Sequence, residues 1–395
     1  MKPLLSALLL FTSIAIAEAS PQNLDNQAQK LLSKHYQHYQ RLEYFSGASL
    51  SIYIPKQPIH NYFVGQVSHD KNSAWVNSNT LFQIGSITKS FTSAVILQLE
   101  KEAKLKLSDT LTTWLPAYDK WKEIKIEQLL NMSSGLPNYS DTALWNADEY
   151  NHPEYIWKND ELIKFVYPSG QFSPPLKSGY FYSNTGYIIT DMIIEKATHS
   201  TFPNELNNRT IKPANLTNTF YPVPTSEEKL DGRTAHGYNY NQYDNPALVG
   251  KDVSNRNLSW AAAAGGIIST SEDIVKWVKA LFIDNSILDN PQKQKLTRLI
   301  SVATGKPITK TTTNDPRGFG LGVINSFDKS LGHFWFYEGE TLGFRALYMY
   351  VPCNGVIIAS IFNSATNSEN DHAKDLMKNT YRLVLDQNPS LHCNS

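Results

Sequence analysis

The chain has 395 residues, of which 41% are hydrophobic, and its 36 Lys and Arg residues balance its 36 Asp and Glu residues. A zero formal net charge, without a long block of one sign, argues against a nucleic-acid or membrane-surface partner. The hydrophobic content excludes a disordered chain, and the length predicts a large core organised in two lobes.

The N-terminus has the layout of an export signal. Lys2 precedes an apolar run from Leu4 to Ala17, followed by small residues suited to signal-peptide cleavage. The alternative is a membrane anchor, but the run is shorter than the roughly 20 apolar residues that a bilayer core requires. We therefore expect residues 1–19 to be removed on export to the periplasm or the medium, leaving no stable membrane span.

The segment over residues 20–107 is predicted to begin an α/β lobe. Its first helix is expected over Asn23–Glu43, with strands at Ala48–Ile54 and Tyr62–Val67. From Ser86 to Lys104, apolar residues recur at helical spacing, which predicts a long helix with one buried face.

The segment over residues 108–245 is rich in Trp, Tyr, Asn and Pro, with short helical stretches such as Ile126–Met132 and Tyr187–Thr198. This texture predicts a mostly helical insertion with long loops. Residues 246–395 are expected to complete the α/β lobe, starting with a helix that is capped within Ser269–Asp273.

The C-terminal part supplies the remaining strands. They are predicted at Gly320–Val323, Phe344–Tyr350 and Val356–Phe362, before a final helix over Ala373–Leu385. The predicted fold class is therefore α/β (α+β), with an antiparallel β-sheet flanked by helices and a mostly helical lobe, in one domain over residues 20–395.

The only two cysteines are Cys353 and Cys393. An even count in an exported protein makes one disulfide the expectation. Two unrelated thiols are the alternative, because sequence separation does not say whether the two Cα atoms come within bonding reach.

One segment has the spacing of an acyl-serine enzyme. Ser86 and Lys89 form an S-x-x-K pattern that, on a helix, brings the hydroxyl and the amine onto one face. The same pattern occurs at Ser68–Lys71, Ser226–Lys229 and Ser326–Lys329, so the spacing alone does not identify a catalytic serine. Only Ser86 follows a strand-like segment and a glycine and then begins a long apolar helix, whose N-terminus favours negative charge.

Further segments in the expected order make this pattern specific. The run Phe82–Phe91 resembles the first motif of class C β-lactamases, D-alanyl-D-alanine carboxypeptidases and related esterases, and other matching segments are Leu129–Pro137, Phe181–Tyr187, Ala263–Thr270 and Gly318–Gly322. On these motifs the chain is identified as a member of the serine β-lactamase and penicillin-binding-protein family. The resemblance implies a β-lactamase/transpeptidase-like fold and a cleft between the two lobes.

The resemblance also implies a role for each motif residue. Ser86 is expected to be the acylated nucleophile, with Lys89, neutral, as the group that accepts its proton. Tyr182 is expected to relay a proton to the leaving group, and Asn184 to orient the lysine and the substrate amide. A core aromatic is the alternative reading of Tyr182.

The third motif departs from the family, which usually has Lys-Thr-Gly or a His in the first place. The register set by Gly343-Phe344 places Tyr337-Glu338-Gly339 there, with the backbone N–H groups of Glu340 and Ser86 as the expected oxyanion hole. In the alternative register, His333 takes the first place.

The missing cation argues against efficient hydrolysis of β-lactams, since Tyr337 offers only a hydroxyl. Glu338 or Glu340 would repel an anionic substrate if either faced the cleft. Arg345 is a candidate to replace the lost charge.

These residues predict an exported serine hydrolase that acts through an acyl-enzyme on a peptide or small-molecule substrate. A D-alanyl-D-alanine carboxypeptidase-like or D-amino-acid peptidase activity is favoured. The alternatives are a carboxylesterase or weak β-lactamase, and a catalytically idle penicillin-binding or sensing protein. No metal-ligand set and no phosphate-binding loop is apparent, so no metal or other cofactor is expected. The oligomeric state cannot be read from the sequence.

Overall fold

An antiparallel sheet of nine strands is the centre of the structure. The computed structural model describes residues 21–222, 230, 232–243 and 246–393, so the predicted signal peptide lies outside the described residues. The strands are β1 (Gly47–Tyr53), β2 (His60–Gly65), β3 (Phe82–Gln83), β4 (Tyr238–Tyr240), β5 (Lys251–Asp252), β6 (Ile268–Ser269), β7 (Leu299–Ser301), β8 (Pro307–Ile308), β9 (Arg317–Phe319), β10 (Ile324–Asp328), β11 (Gly332–Thr341), β12 (Phe344–Val351), β13 (Val356–Phe362) and β14 (Ser364–Thr366). In the large sheet they follow the order β2-β1-β13-β12-β11-β10-β9-β7-β8.

Helices cover both faces of this sheet. They are α1 (Pro21–Tyr39), α2 (Thr88–Lys101), α3 (Leu111–Trp114), α4 (Ile126–Leu130), α5 (Ala143–Asn151), α6 (Asn159–Lys164), α7 (Thr185–Thr198), α8 (Phe202–Leu206), α9 (Ala262–Gly265), α10 (Ser271–Phe282), α11 (Asn290–Leu296) and α12 (Ala373–Gln387). Within residues 108–245, the described segments form α3 to α8 and the short strand β4. No helix of the described part is long and apolar enough to cross a bilayer.

The two central strands, β12 and β13, have mostly apolar sequences because both faces of the sheet are covered. Every residue of β12 and β13 is buried. In β13, Ile358 and Phe362 join a core with α1 and α12, while Ile357 and Ile361 join the core on the opposite face. Because successive side chains of a strand point to opposite faces, a strand covered on both sides has no solvent-facing positions and is mostly apolar.

Most predicted elements are confirmed to within a few residues, and one strand prediction was wrong. Gly320–Val323 is a turn between β9 and β10, closed by a hydrogen bond from the Gly320 N–H to the Val323 carbonyl. Gly322 has a φ of +72°, and a Cβ on it would lie 2.7 Å from the Lys89 carbonyl oxygen. The glycines therefore serve a turn packed on α2, which an extended strand could not form.

The predicted disulfide between Cys353 and Cys393 is present, with 5.8 Å between the Cα atoms. It ties the end of the described chain to the turn between β12 and β13. The alternative of two unrelated thiols is thereby excluded.

A buried ionic cluster links β12 to both helices of the outer face. The Arg345 side chain is 1% exposed and contacts the carboxylates of Glu43 at 2.8 Å and Asp371 at 2.6 Å. It also donates to the Ser364 carbonyl at 2.8 Å. Since Arg345 is fully engaged on this face, the suggestion that it replaces the missing third-motif cation is wrong.

We expect the substitution Arg345→Met to destabilise the protein by about 3–5 kcal/mol, because it leaves two buried carboxylates without their counter-charge. Chemical denaturation would measure the loss in the free energy of unfolding. Arg382→Met is the matched control, since Arg382 is exposed on α12 and its guanidinium donates to Asn379 Oδ1 at 3.4 Å. A loss below about 1 kcal/mol for Arg345→Met would contradict the assignment of this cluster as a structural core.

Candidate active site

The candidate nucleophile lies on a tight turn between β3 and α2. Gly85 to Ile87 form a single 3-10 turn, in which Gly85 has a φ of +50° and Ser86 is partly exposed. The turn is packed against β11: a Cβ on Gly339 would lie 1.9 Å from the Ile84 carbonyl oxygen and 2.9 Å from the Ser86 nitrogen. A Cβ on Gly85 would in turn lie 2.6 Å from the Glu340 nitrogen. Because these two glycines have no side chain, the backbone of the turn and the backbone of β11 lie in direct contact.

The Lys89 side chain is completely buried one helical turn beyond Ser86. Its Nζ lies 2.8 Å from Ser86 Oγ, 2.7 Å from Asn184 Oδ1 and 2.8 Å from the Ala264 carbonyl oxygen. Among the described residues no carboxylate pairs with it. Burial lowers the pKa of Lys89 well below its ordinary value, which favours the neutral amine.

Tyr182 and Asn184 complete the hydrogen-bonded group around Ser86. The Tyr182 hydroxyl lies 2.6 Å from Ser86 Oγ. Burial raises the pKa of Tyr182 to about 12, so its hydroxyl is protonated at neutral pH. The structure thus places Ser86, Lys89, Tyr182 and Asn184 together, although they come from two segments almost 100 residues apart in sequence.

Several partners of these side chains were not singled out from the sequence. Asn184 donates through Nδ2 to Ser140 Oγ at 3.0 Å, and its backbone N–H donates to Asn138 Oδ1 at 2.9 Å. The carbonyl of Ala264, at the C-terminal end of α9, accepts from Lys89. Ala264 belongs to one of the segments that match the family motifs, but its contact with Lys89 is made by the backbone carbonyl. Every residue has such a carbonyl, so the residue type does not predict the contact.

The third motif has the register predicted from Gly343-Phe344. Gly339 lies beside Ser86, whereas His333 lies earlier on β11, where that strand pairs with β10 and the His333 ring contacts Thr311. The Tyr337 ring is 2% exposed. Its hydroxyl makes no hydrogen bond of ordinary geometry to the described residues, although it is close enough to the Tyr182 hydroxyl to influence the pKa of that group.

The carboxylates next to Tyr337 have separate surroundings. Glu338 pairs with Lys374 at 2.6 Å on the outer side of β11. Burial, together with the neighbouring Asp371, raises the pKa of Glu338. Glu340 is exposed, and its Oε1 accepts from Asn241 Nδ2 at 3.2 Å. Both carboxylates line the cleft, and their unfavourable effect on anionic substrates stays a prediction.

The other S-x-x-K segments lack these surroundings. Ser68 bonds Asp70 in a surface turn, and Ser326 belongs to β10. Ser226–Lys229 lies outside the described residues. No group of three or more His, Cys, Asp or Glu side chains in the described part could hold a metal ion.

The cleft above Ser86 has a volume of about 780 Å³. One wall comes from the loop and helix around α5, with Ser140, Asp141 and Trp145, and the opposite wall comes from the free edge of β11. This edge is open because β10 pairs only with the first half of β11, up to Phe336. A substrate can therefore approach Ser86 along the backbone of Tyr337 to Thr341.

Comparisons with known proteins identify the family of this chain. A family model described as Beta-lactamase matches residues 32–382. Penicillin-binding protein 4* of Bacillus subtilis (strain 168) is 28% identical over 321 residues, covering 79% of this chain and 66% of that protein. Protein flp of Staphylococcus aureus (strain N315) is 25% identical over 356 residues, covering 86% of this chain and 64% of that protein. The chain thus spans slightly less than two thirds of the length of these curated relatives.

Solved structures share the fold. The crystal structure of D-amino acid amidase from Ochrobactrum anthropi SV3, in complex with D-phenylalanine, aligns with a TM-score of 0.76 and 24% identity. The alignment covers 92% of this chain and 99% of that chain. The likeness confirms the predicted antiparallel sheet flanked by helices.

We expect Gly339→Ala to reduce the rate of Ser86 acylation by about 100-fold or more, because a Cβ there must push β11 away from the nucleophile turn. Labelling kinetics with a fluorophosphonate would measure the rate. The control is Gly332→Ala at the start of the same strand, where a Cβ meets nothing within 4 Å and only the φ of +73° adds strain. Equal rates for Gly339→Ala and the wild type would show that the close approach is not required.

The neutral state of Lys89 predicts a pH dependence of stability. In the unfolded chain a lysine binds its proton below about pH 10.4, whereas folded Lys89 has already lost its proton there. The free energy of unfolding of the wild type should therefore rise from about pH 7 to about pH 10, relative to Lys89→Met. Denaturation at several pH values would measure the difference, with exposed Lys101→Met as the control. A difference that does not vary with pH would mean that folded Lys89 keeps its proton.

Proposed function

Because this chain belongs to the β-lactamase family of serine hydrolases, we propose that it is an exported enzyme that cleaves the amide or peptide bond following a D-amino acid residue, through an acyl-enzyme on Ser86. The observation that carries the proposal is the buried amine of Lys89 next to the Ser86 hydroxyl. The proposed reaction steps start from this contact.

The neighbours of Lys89 define the direction of its hydrogen bonds. A neutral amine has two N–H donors and one lone pair. The Asn184 and Ala264 oxygens are carbonyl oxygens, which only accept, so they take both N–H groups. The lone pair is then left for the Ser86 O–H, and Lys89 serves as the base for this hydroxyl.

Acylation follows from the two contacts of Ser86. As Ser86 Oγ bonds to the substrate carbonyl carbon, its proton passes to Lys89 Nζ. The C–N bond breaks, and the leaving nitrogen takes a proton from the Tyr182 hydroxyl, which the proton held by Lys89 then restores. In deacylation a water loses its proton to the same groups and attacks the ester, so the acid is released and Ser86 regains its hydrogen.

The negative charge on the carbonyl oxygen requires donors near Ser86. We assign this role to the backbone N–H groups of Ser86 and Glu340, which belong to the two segments that Gly85 and Gly339 hold together. One such donor typically contributes about 3–4 kcal/mol to the stability of the transition state. No cofactor enters these steps.

The charges in the cleft favour a substrate with an amine on its acyl side. Glu340 follows Gly339, on the side of Ser86 away from Tyr337, and would attract the α-ammonium group of an amino-acid residue. At the third-motif position the uncharged Tyr337 cannot pair with the carboxylate of a β-lactam. The D configuration is proposed from the shared fold, since the structural neighbour is named as a D-amino acid amidase bound to D-phenylalanine.

Of the two alternatives, one has specific support. A carboxylesterase is favoured by the neutral Tyr337, because esters need no carboxylate recognition and carry a better leaving group. A catalytically idle binding protein is disfavoured, since the complete contact set of Ser86, Lys89, Tyr182 and Asn184 has no evident use in binding alone. Export remains a proposal from the first 19 residues, and the disulfide fits an oxidising compartment.

We expect a fluorophosphonate to label Ser86, a fluorescent penicillin to label it poorly, and D-phenylalanine amide to be hydrolysed faster than its L enantiomer. Intact-mass analysis of the mature protein and product assays would measure these results. Ser86→Ala should lose labelling and turnover, while Ser68→Ala, in a second S-x-x-K segment, should keep both.

Other outcomes would support a different function. Labelling by both reagents would indicate a penicillin-binding peptidase, and ester hydrolysis without amide hydrolysis would indicate the carboxylesterase. Labelling by neither reagent would support the idle protein.

A further inference from the structure

An arginine without a carboxylate partner lies at one end of the cleft. Arg317, on β9, is exposed and lines the cleft together with Tyr180, Ile324 and Tyr337. Within residues 21–222, 230, 232–243 and 246–393, no carboxylate pairs with its guanidinium. The other basic residue of the cleft wall, Lys374, is already paired with Glu338. Arg317 is thus available to an anionic group of a ligand.

The cleft continues past Arg317 into a second cavity, which we call the outer groove. It has a volume of about 280 Å³ and shares Arg317, Phe336 and Lys374 with the cleft. Its lining is mainly apolar and includes Leu331, Phe334, Phe336, Leu347, Met349 and Met377. The ion pair of Lys378 and Asp328, 3.4 Å apart, also lines it. The groove therefore combines a mainly apolar floor with a guanidinium, at the entrance from the cleft, that no carboxylate of the described residues pairs with.

The position of Arg317 relative to Ser86 defines which part of a substrate would meet it. Arg317 pairs with Ser326 on β10, which in turn pairs with Phe334 on β11, so Arg317 lies at the register of a residue that precedes Tyr337. Tyr182, the proposed donor to the leaving group, also lies on this Tyr337 side. Glu340 lies on the other side of Gly339. The leaving group is therefore directed toward Arg317, and the acyl group toward Glu340.

Two other observations agree with this direction. Burial raises the pKa of the Tyr180 hydroxyl, and the charge of Arg317 partly opposes the rise, so the guanidinium acts on the same cleft wall. Arg317 lies at the register of Phe334, and Phe334 to Glu340 spans six strand residues, roughly 20 Å. An extended peptide of two or three residues covers about 7–10 Å, and the long side chains of Arg317 and Glu340, which both line the cleft, can cover the remaining distance.

We propose that Arg317 and the outer groove form a leaving-group subsite that binds the free carboxylate and the apolar side chain of a C-terminal residue. The inference rests on the proposed function and adds its substrate class: short peptides with a free amino group at one end and a free carboxylate after an apolar residue at the other. Arg317 supplies the anion recognition that the third motif lacks, from a different strand. A guanidinium suits this role because it binds a carboxylate through two parallel hydrogen bonds.

The test compares two substrates that differ only at the C-terminus, D-alanyl-D-leucine and D-alanyl-D-leucine amide. Cleavage of the same peptide bond would be followed by mass spectrometry of the released leucine or leucine amide. For the wild type we expect kcat/KM to be about tenfold higher for the free acid. Arg317→Gln should bring the ratio close to one, mainly through KM, and Arg317→Lys should keep part of the preference. Arg382→Gln, at an exposed arginine of α12, is the matched control and should leave the ratio unchanged.

A third substrate tests the groove. Replacing the C-terminal leucine by D-aspartate should reduce cleavage of the free acid by the wild type, because a second carboxylate would enter the apolar groove. Equal cleavage of the leucine and aspartate peptides would overturn the assignment of the groove.

The outcomes separate this inference from the proposed function. If the wild type cleaves acid and amide equally and Arg317→Gln leaves the ratio unchanged, the subsite is overturned while D-peptide hydrolysis stands. If the wild type cleaves neither peptide and the fluorophosphonate does not label Ser86, both the subsite and the proposed function are contradicted. A preference for the acid that is lost in Arg317→Gln and kept in Arg382→Gln supports the subsite.

Discussion

The chemistry of this protein depends on an amine that is kept out of water. Lys89 is buried on α2 without a carboxylate partner, and its Nζ contacts Ser86, Asn184 and the Ala264 carbonyl. Removing an ammonium ion from water is costly unless an anion compensates, so burial lowers the pKa of Lys89 and favours the neutral amine. Burial of this amine lowers the stability of the fold, and it supplies the base that the proposed mechanism requires next to a serine hydroxyl. The surrounding structure must therefore be stable enough to carry this unfavourable burial.

The large sheet provides that stability and also positions the reacting groups. β12 and β13 are buried on both faces, and the cluster of Arg345, Glu43 and Asp371 connects the sheet to the outer helices. β11 is hydrogen-bonded to β12 along its second half, while its other edge is open toward Ser86. The close approach of Gly85 to Glu340, and of Gly339 to Ile84 and Ser86, fixes the position of the nucleophile turn relative to the sheet. The sheet and the surroundings of Lys89 are thus parts of one arrangement.

Charge in the cleft is distributed along the direction of β11. Arg317, which pairs with no carboxylate of the described residues, lies at the register of Phe334, and the Glu340 carboxylate lies beyond Gly339, with Ser86 between them. This distribution fits a substrate that carries opposite charges at its ends. The family's usual third-motif cation is replaced by Tyr337, a buried phenol, so the proposed recognition of a carboxylate rests on Arg317, from another strand.

The sequence by itself determined the local features. The S-x-x-K spacing on a helix, the Tyr-x-Asn segment and the strand periodicity depend on near neighbours, and these identified Ser86, Lys89, Tyr182, Asn184 and the fold class. The position of Gly339 could also be read, because the spacing to Gly343-Phe344 defines the strand register. Tertiary structure decided which long-range contacts these residues make. Whether Cys353 and Cys393 meet, that Arg345 points to the outer face, that Ala264 offers its carbonyl to Lys89, and that Gly320–Val323 turns against α2 all depend on distances between segments far apart in the chain. Such contacts are set by the packing of whole elements, and a residue's type does not reveal which partner the fold will bring to it.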